Sequence, residues 1–169
     1  DWLRAKGVAL ARSSDPDRAG LVHRLDKDTS GIILIAKQPA AAEKLMYQFA
    51  ERQVEKEYRA VVAGTVPKKL LKIVGAIGRN PQDRKTFGIQ RGGREAITWI
   101  ECIDSSGNAS FIRVIPKTGR THQIRVHLKH AGFPILGDPI YGRQKISGVD
   151  RMLLHAYRLE FVHPTTKKK

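Results

Sequence analysis

Alternation of side chains with a period of two recurs along this chain and restricts its fold more than any other feature. Glu57–Ala63 sets Tyr58, Ala60 and Val62 on one face of a strand and Glu57, Arg59 and Val61 on the other. Leu153–Val162 repeats the pattern, with Leu153, His155, Tyr157, Leu159 and Phe161 opposite Leu154, Ala156, Arg158, Glu160 and Val162. Leu70–Ile77, Glu95–Asp104 and Ser110–Ile115 read as further strands, and Gly92-Gly93 and Ser105-Ser106-Gly107-Asn108 as turns between them. The continuous apolar run Gly31–Ala36 suits a strand buried on both faces.

Helical spacing is rarer. A helix is predicted from Pro39 to Arg52, with Pro in its first turn and Leu45, Met46 and Phe49 on one face. A second is predicted over Thr121–Ala131, with Thr121 as N-cap, Ile124 and Leu128 sharing a face, and Gly132 and Pro134 ending it. Asp1–Gly7 reads as the end of a helix, and Ser13–Gly20 and Gly137–Gly142 as loops. Many strands, few helices and no regular βαβ repeat predict an α+β domain on a mixed, largely antiparallel sheet with flanking helices.

At 169 residues the chain is expected to form one domain, residues 1–169. Its longest purely apolar run, Ile32–Ala36, is far short of the roughly 20 residues that span a bilayer. A single cysteine, Cys102, excludes an intramolecular disulfide framework and a Cys-rich zinc site. The N-terminus Asp1-Trp2-Leu3-Arg4 is neither a signal peptide nor a transit peptide. These features predict a soluble protein of a reducing compartment, the cytoplasm, with no membrane association.

Lys and Arg number 31 against 16 Asp and Glu, a net charge of +15. An excess of this size points to a polyanion, because Lys and Arg that neutralise phosphates release counterions. Only Lys167-Lys168-Lys169 forms a block. The remaining cations are dispersed through patterned sequence, as on the basic face of a nucleic-acid-binding fold rather than a polybasic membrane anchor.

Three stretches concentrate polar chemistry beside buried-looking structure. In Leu21–Gly31, Asp26 is flanked by Arg24, Lys27 and small hydroxyl residues. Such a carboxylate can stay ionised when partly desolvated and serve as nucleophile or base; equally, Asp26 or Asp28 can simply cap a turn. In Pro116–His127, Arg120 and Arg125 sit at a helix start, where guanidinium and backbone N–H groups form a site for a phosphate or for a carboxylate such as Asp26. Solvated cations on a surface helix are the plainer alternative. In Glu55–Ala60, Tyr58 shares a strand face with Ala60 and Val62, by default a packing position. His122, His127 and His130 cluster, but without a His-Glu-x-x-His pattern or cysteine partners no metal site is expected.

Taken together, these stretches resemble the RluA family of pseudouridine synthases. The matching motifs are His23-Arg24-Leu25-Asp26-Lys27-Asp28-Thr29-Ser30-Gly31, Lys56-Glu57-Tyr58-Arg59-Ala60, Thr118 through Leu128, Gly137-Asp138-Pro139-Ile140-Tyr141-Gly142, and Leu153-Leu154-His155-Ala156 followed by His163-Pro164. They occur in the family's order from about Gly20 to Pro164, and the pattern is most similar to the branch acting on large-subunit ribosomal RNA. The resemblance implies an RNA isomerase that converts specific uridines to pseudouridine by base flipping, glycosidic bond cleavage and re-attachment through C5. It implies Asp26 as the catalytic aspartate, Tyr58 stacked on the target base and relaying a proton, and Arg125 paired with the aspartate. Arg24 would fill the gap left by the flipped nucleotide, and His23, Lys27, Lys117, Arg120 and His122 would contact RNA. No cofactor and no metal is implied, because the reaction has no redox or group-transfer step. The partner would be ribosomal or other structured RNA, and the protein a monomer.

Family members usually open the catalytic domain with a strand carrying an Asn-Lys-Pro-like motif, often after a small RNA-binding domain, and continue past the point where Lys169 ends. The chain therefore reads as a catalytic core truncated at both ends. A reading from a different class is a non-catalytic RNA-binding module that keeps the fold and the basic face; intact Asp26, Tyr58 and Arg125 weigh against it.

Overall fold

A computed structural model describes residues 2–13, 15–83, 85–142 and 147–169. The chain divides into two compact units: Asp1–Leu25, Ile32–Glu55 and Leu159–Lys169 form one, and Asp26–Gly31 with Lys56–Arg158 the other.

The second unit is built on the strands. In chain order they are β1 (Ser30–Gly31), β2 (Glu55–Ala63), β3 (Leu71–Arg79), β4 (Phe87–Ile89), β5 (Arg94–Ser106), β6 (Ala109–Pro116) and β7 (Leu154–Glu160). They form one sheet in the order β1-β7-β2-β6-β5-β3-β4. The pair β1–β7 is parallel, while β2–β6, β5–β6, β3–β5 and β3–β4 are antiparallel. The sheet is thus mixed and largely antiparallel, in an α+β fold.

Alternation decides which side chains enter the core. Ala60 and Val62 of β2, Ile100 of β5, Ile112 and Val114 of β6 and Leu154 of β7 point inward to meet Ile124 and Leu128, along with Val66, Ile135 and Met152. Ile124 and Leu128 come from the helix Gln123–His130. Each fully buried aliphatic side chain contributes about 1.5–3 kcal/mol relative to exposure. Ser110 is buried among them because its hydroxyl is fully used: it accepts from Val66 N–H at 2.9 Å and donates to Gly64 O at 2.8 Å.

The first unit contains the helices α1 (Trp2–Ala5) and α2 (Pro39–Ala50) and a short 3-10 turn, Pro16–Arg18. Its core gathers Ala11, Val22, Ala36, Ala42 and Leu45, with Leu34, Phe49 and Phe161 packed against it. The Gln48 side chain ties down the C-terminal segment by donating to Val162 O and accepting from Val162 N–H, both at 2.9 Å. The third helix, α3, is Gln123–His130 of the second unit.

The sequence expectations need four corrections. The apolar run Gly31–Ala36 is not a buried strand. Only Ser30–Gly31 pairs in the sheet, and Ile32 and Ile33 are each 44% exposed. Beyond Gly31 the backbone bonds elsewhere: Leu34 N–H donates to His23 Nε2 at 2.7 Å and Ala36 N–H to Gly20 O at 2.8 Å. Thr121 does not cap α3; His122 takes the N-cap position in a left-handed conformation, φ 55°. The alternating segment at the C-terminus is a strand only over Leu154–Glu160, and β4 carries no pattern long enough to be read. Asp1 of the first helix reading and Ser14 of the loop reading lie outside the described residues. Among the described residues, no helix is long and apolar enough to cross a membrane.

Candidate active site

The site is built from the N-terminal end of α3. Gln123 sits in a polar network that fixes this end against β5. Its Oε1 accepts from Thr118 Oγ1 at 2.6 Å and from Arg120 N–H at 3.0 Å. Its Nε2 donates to Ile97 O and to Thr98 Oγ1, both at 3.0 Å. A backbone donor on one side and a backbone acceptor on the other leave the amide only one orientation. Thr98 Oγ1, having accepted from Gln123, also lies 2.9 Å from His127 Nδ1. The His127 ring is fully buried. Burial pushes it below the usual histidine value and the neighbouring His130 adds to this, against an opposing hydrogen bond involving the Gly75 backbone.

Within the first turn of α3, Arg125 is only 3% exposed and its guanidinium is committed. Nε donates to Asp138 Oδ2 and Nη2 to Asp138 Oδ1, both at 2.8 Å. Nη1 lies 3.5 Å from Asp26 Oδ2. The group also stacks over the Tyr141 ring, with Cζ 4.9 Å from the centroid. Burial works against the Arg125 charge, but the bonds and charge of Asp138 and the charge of Asp26 prevail, so its pKa is raised.

Asp138 is completely buried as a side chain. Desolvation alone would raise its pKa. The Arg125 bonds and the Tyr141 and Ile140 N–H groups, at 3.0 and 2.9 Å from Oδ1, outweigh it and hold the carboxyl below the usual range. Its turn is held in turn by Gly137, whose φ of 72° and close approach to the backbone leave no space for a side chain: a Cβ there would lie 2.0 Å from Arg151 O. Tyr141 is anchored through its hydroxyl, which accepts from Phe87 N–H at 2.9 Å and lies 2.8 Å from His122 Nδ1.

Asp26 precedes β1 in a turn closed by Thr29 N–H donating to Asp26 O at 3.0 Å. The segment is pinned at Ser30, whose Oγ lies 2.9 Å from His155 Nδ1 and accepts from Arg151 Nη1 at 3.1 Å. At Gly31, φ 111°, a Cβ would meet Ala156 O at 2.2 Å, so this pairing requires glycine. Tyr58 of β2 is half-buried against the main core. Burial and, secondarily, the charge of Asp26 push its hydroxyl up to about 12, so it is a neutral phenol at ordinary pH.

The structure therefore brings Asp26, Tyr58 and Arg125 to one place, and adds Asp138 and Tyr141. Of the other residues singled out from sequence, Lys27 and Lys117 are exposed. Arg120 Nε donates to Glu95 O at 3.2 Å, and His122 packs edge-on against Phe87 and Tyr141. His23 and Arg24 belong to the first unit, where Arg24 is exposed and the His23 ring stacks on Phe49 at 4.7 Å. Asp138 escaped a sequence-based role because Gly-Asp-Pro reads as a turn; its partner Arg125 lies 13 residues away. Among the described residues no group of three or more His, Cys, Asp or Glu could hold a metal.

Residues 1–130 match the RNA pseudouridylate synthase family, and the chain belongs to that family. It is 45% identical over 148 residues to an uncharacterized RNA pseudouridine synthase of Chloroflexus aurantiacus, covering 87% of this chain and 46% of the relative. It is 43% identical over 159 residues to the ribosomal large subunit pseudouridine synthase D of Neisseria meningitidis, covering 87% and 42%. Among solved structures, human RNA pseudouridylate synthase domain containing 1 superposes with a TM-score of 0.80 at 30% identity, covering 93% of this chain and 66% of that one. The chain spans about half the length of the curated relatives it matches.

Proposed function

We propose that this chain carries the catalytic core of an RNA pseudouridine synthase whose substrate is large-subunit ribosomal RNA. The observation that supports it most is convergence: Asp26, Tyr58 and Arg125, far apart in sequence, share one partly desolvated site, with Arg125 Nη1 3.5 Å from Asp26 Oδ2. The net charge of +15 and relatives named for the large ribosomal subunit support the choice of substrate.

The reaction is an isomerisation. The N1–C1′ bond breaks, the base turns, a C5–C1′ bond forms, C5 loses a proton and N1 gains one. Asp26 supplies the negative charge for attack or for proton removal at the flipped nucleotide, and Arg125 orients it. Flipping costs a few kcal/mol, part of which a stacked ring recovers; Tyr58 presents that ring and relays a proton as a neutral phenol. Arg24 occupies the space the nucleotide leaves, and His23, Lys27, Lys117, Arg120 and His122 contact the RNA. No cofactor enters any step.

The test is incubation of the chain with large-subunit ribosomal RNA transcripts, reading pseudouridine directly. Site-specific conversion is expected. Binding without conversion at any uridine would favour the non-catalytic module instead.

A further inference from the structure

We propose that Asp138 is the positioning residue for Arg125: it takes the guanidinium's two strong hydrogen bonds and leaves Asp26 only loosely paired. This deepens the reading above and rests on Asp26 being the reactive carboxylate. A guanidinium that paired face-on with Asp26 alone would occupy both carboxylate oxygens of the group that must react. The geometry here is different. Asp138 receives the Nε and Nη2 hydrogens side-on, at 2.8 Å each. Asp26 receives one Nη1 hydrogen at 3.5 Å, the outer limit of a hydrogen bond, and through one oxygen only.

The clamp is itself immobilised. Asp138 Oδ1 also accepts from the Ile140 and Tyr141 N–H groups, and the Tyr141 ring lies against the guanidinium on one face. One consequence follows: Arg125 stays paired when Asp26 turns to the substrate, so no buried guanidinium is stranded during the reaction.

Asp138→Asn tests this, because it keeps the shape and removes the acceptor facing Nε. Single-turnover conversion with saturating chain should slow about 100-fold, as expected when a reacting group is misplaced by an ångström or so, with RNA affinity unchanged. A double-mutant cycle with Arg125→Met separates positioning from general structure: in the Arg125→Met background, Asp138→Asn should cost nothing further. A wild-type rate for Asp138→Asn, or the same loss in both backgrounds, would overturn the proposal. If Asp138→Asn does not fold, nitrogen-15 NMR of the Arg125 Nε–H in Asp26→Asn decides. A sharp, exchange-protected signal is expected, since Asp138 still holds it; an averaged signal would refute the clamp. An inactive wild-type chain would count against the functional reading alone, because the NMR outcome needs no turnover.

Discussion

His127 shows how one buried residue at this site couples stability to pH. With its pKa lowered in the folded state, the unfolded chain binds more protons as pH falls below the ordinary value of 6.5. The stability that neutral His127 contributes is present above 6.5 and lost as pH falls through its folded pKa, with a slope of at most about 1.4 kcal/mol per pH unit for one proton. Melting temperatures measured from pH 7.5 down to 5 should therefore decline, and His127→Gln should flatten that decline even though it lowers stability at pH 7.5. An identical slope in the variant would show that other groups control it. At this scale the sequence was legible only in part. Asp26, Tyr58 and Arg125 were selected through ordered motifs, because any single carboxylate or cation has a turn or surface explanation. Asp138 is a turn residue, as its spacing suggests, and simultaneously the main partner of Arg125. Local pattern reports the first role and carries no information on the second.

At the scale of elements, the pairing of β1 with β7 helps to fix where Asp26 sits, together with the turn at Asp26–Thr29, the contacts of Ser30 and the Arg125 guanidinium. Gly31→Ala would place a methyl group 2.2 Å from Ala156 O at a φ that side chains avoid. Strain alone should cost about 1–3 kcal/mol, and displacement of β1 should lower conversion as well. Gly88→Ala in β4 is the control: a Cβ there meets nothing within 4 Å, so denaturant titration should find a change within about 0.5 kcal/mol. Equal losses in the two variants would remove the special place of β1. Long alternating strands such as β2, β5 and β6 were readable because each buries one face. The run after Gly31 misled for a physical reason: apolar content reports burial potential, but its backbone bonds go to a histidine ring and a loop carbonyl, which no periodicity encodes. β4, three residues long, is defined by its pairing with β3 rather than by its own pattern.

For the whole molecule, charge is the property that sequence states outright. On the proposed function, an excess of 15 positive charges should make association with RNA electrostatic, and each phosphate neutralised should contribute a slope of roughly −0.7 to −0.9 in log K against log salt. A titration from low to high salt should show affinity falling by orders of magnitude; a flat response would contradict a phosphate-dominated interface. The sheet order was not readable, because the pairing of β1 with β7 joins residues 125 apart in sequence and rests on Gly31 and Ser30 rather than on any repeat. Asp26 is proposed to carry the chemistry while the basic surface carries the binding. Asp26→Asn keeps the shape and removes the charge. Single-turnover pseudouridine formation by this variant at saturating concentration, with RNA affinity measured on the same preparation, separates the two. The expected result is no product, with affinity equal to or slightly tighter than wild type, since one negative charge is gone from the surface proposed to face phosphate. Retained conversion, or a loss explained entirely by lost binding or folding, would contradict it.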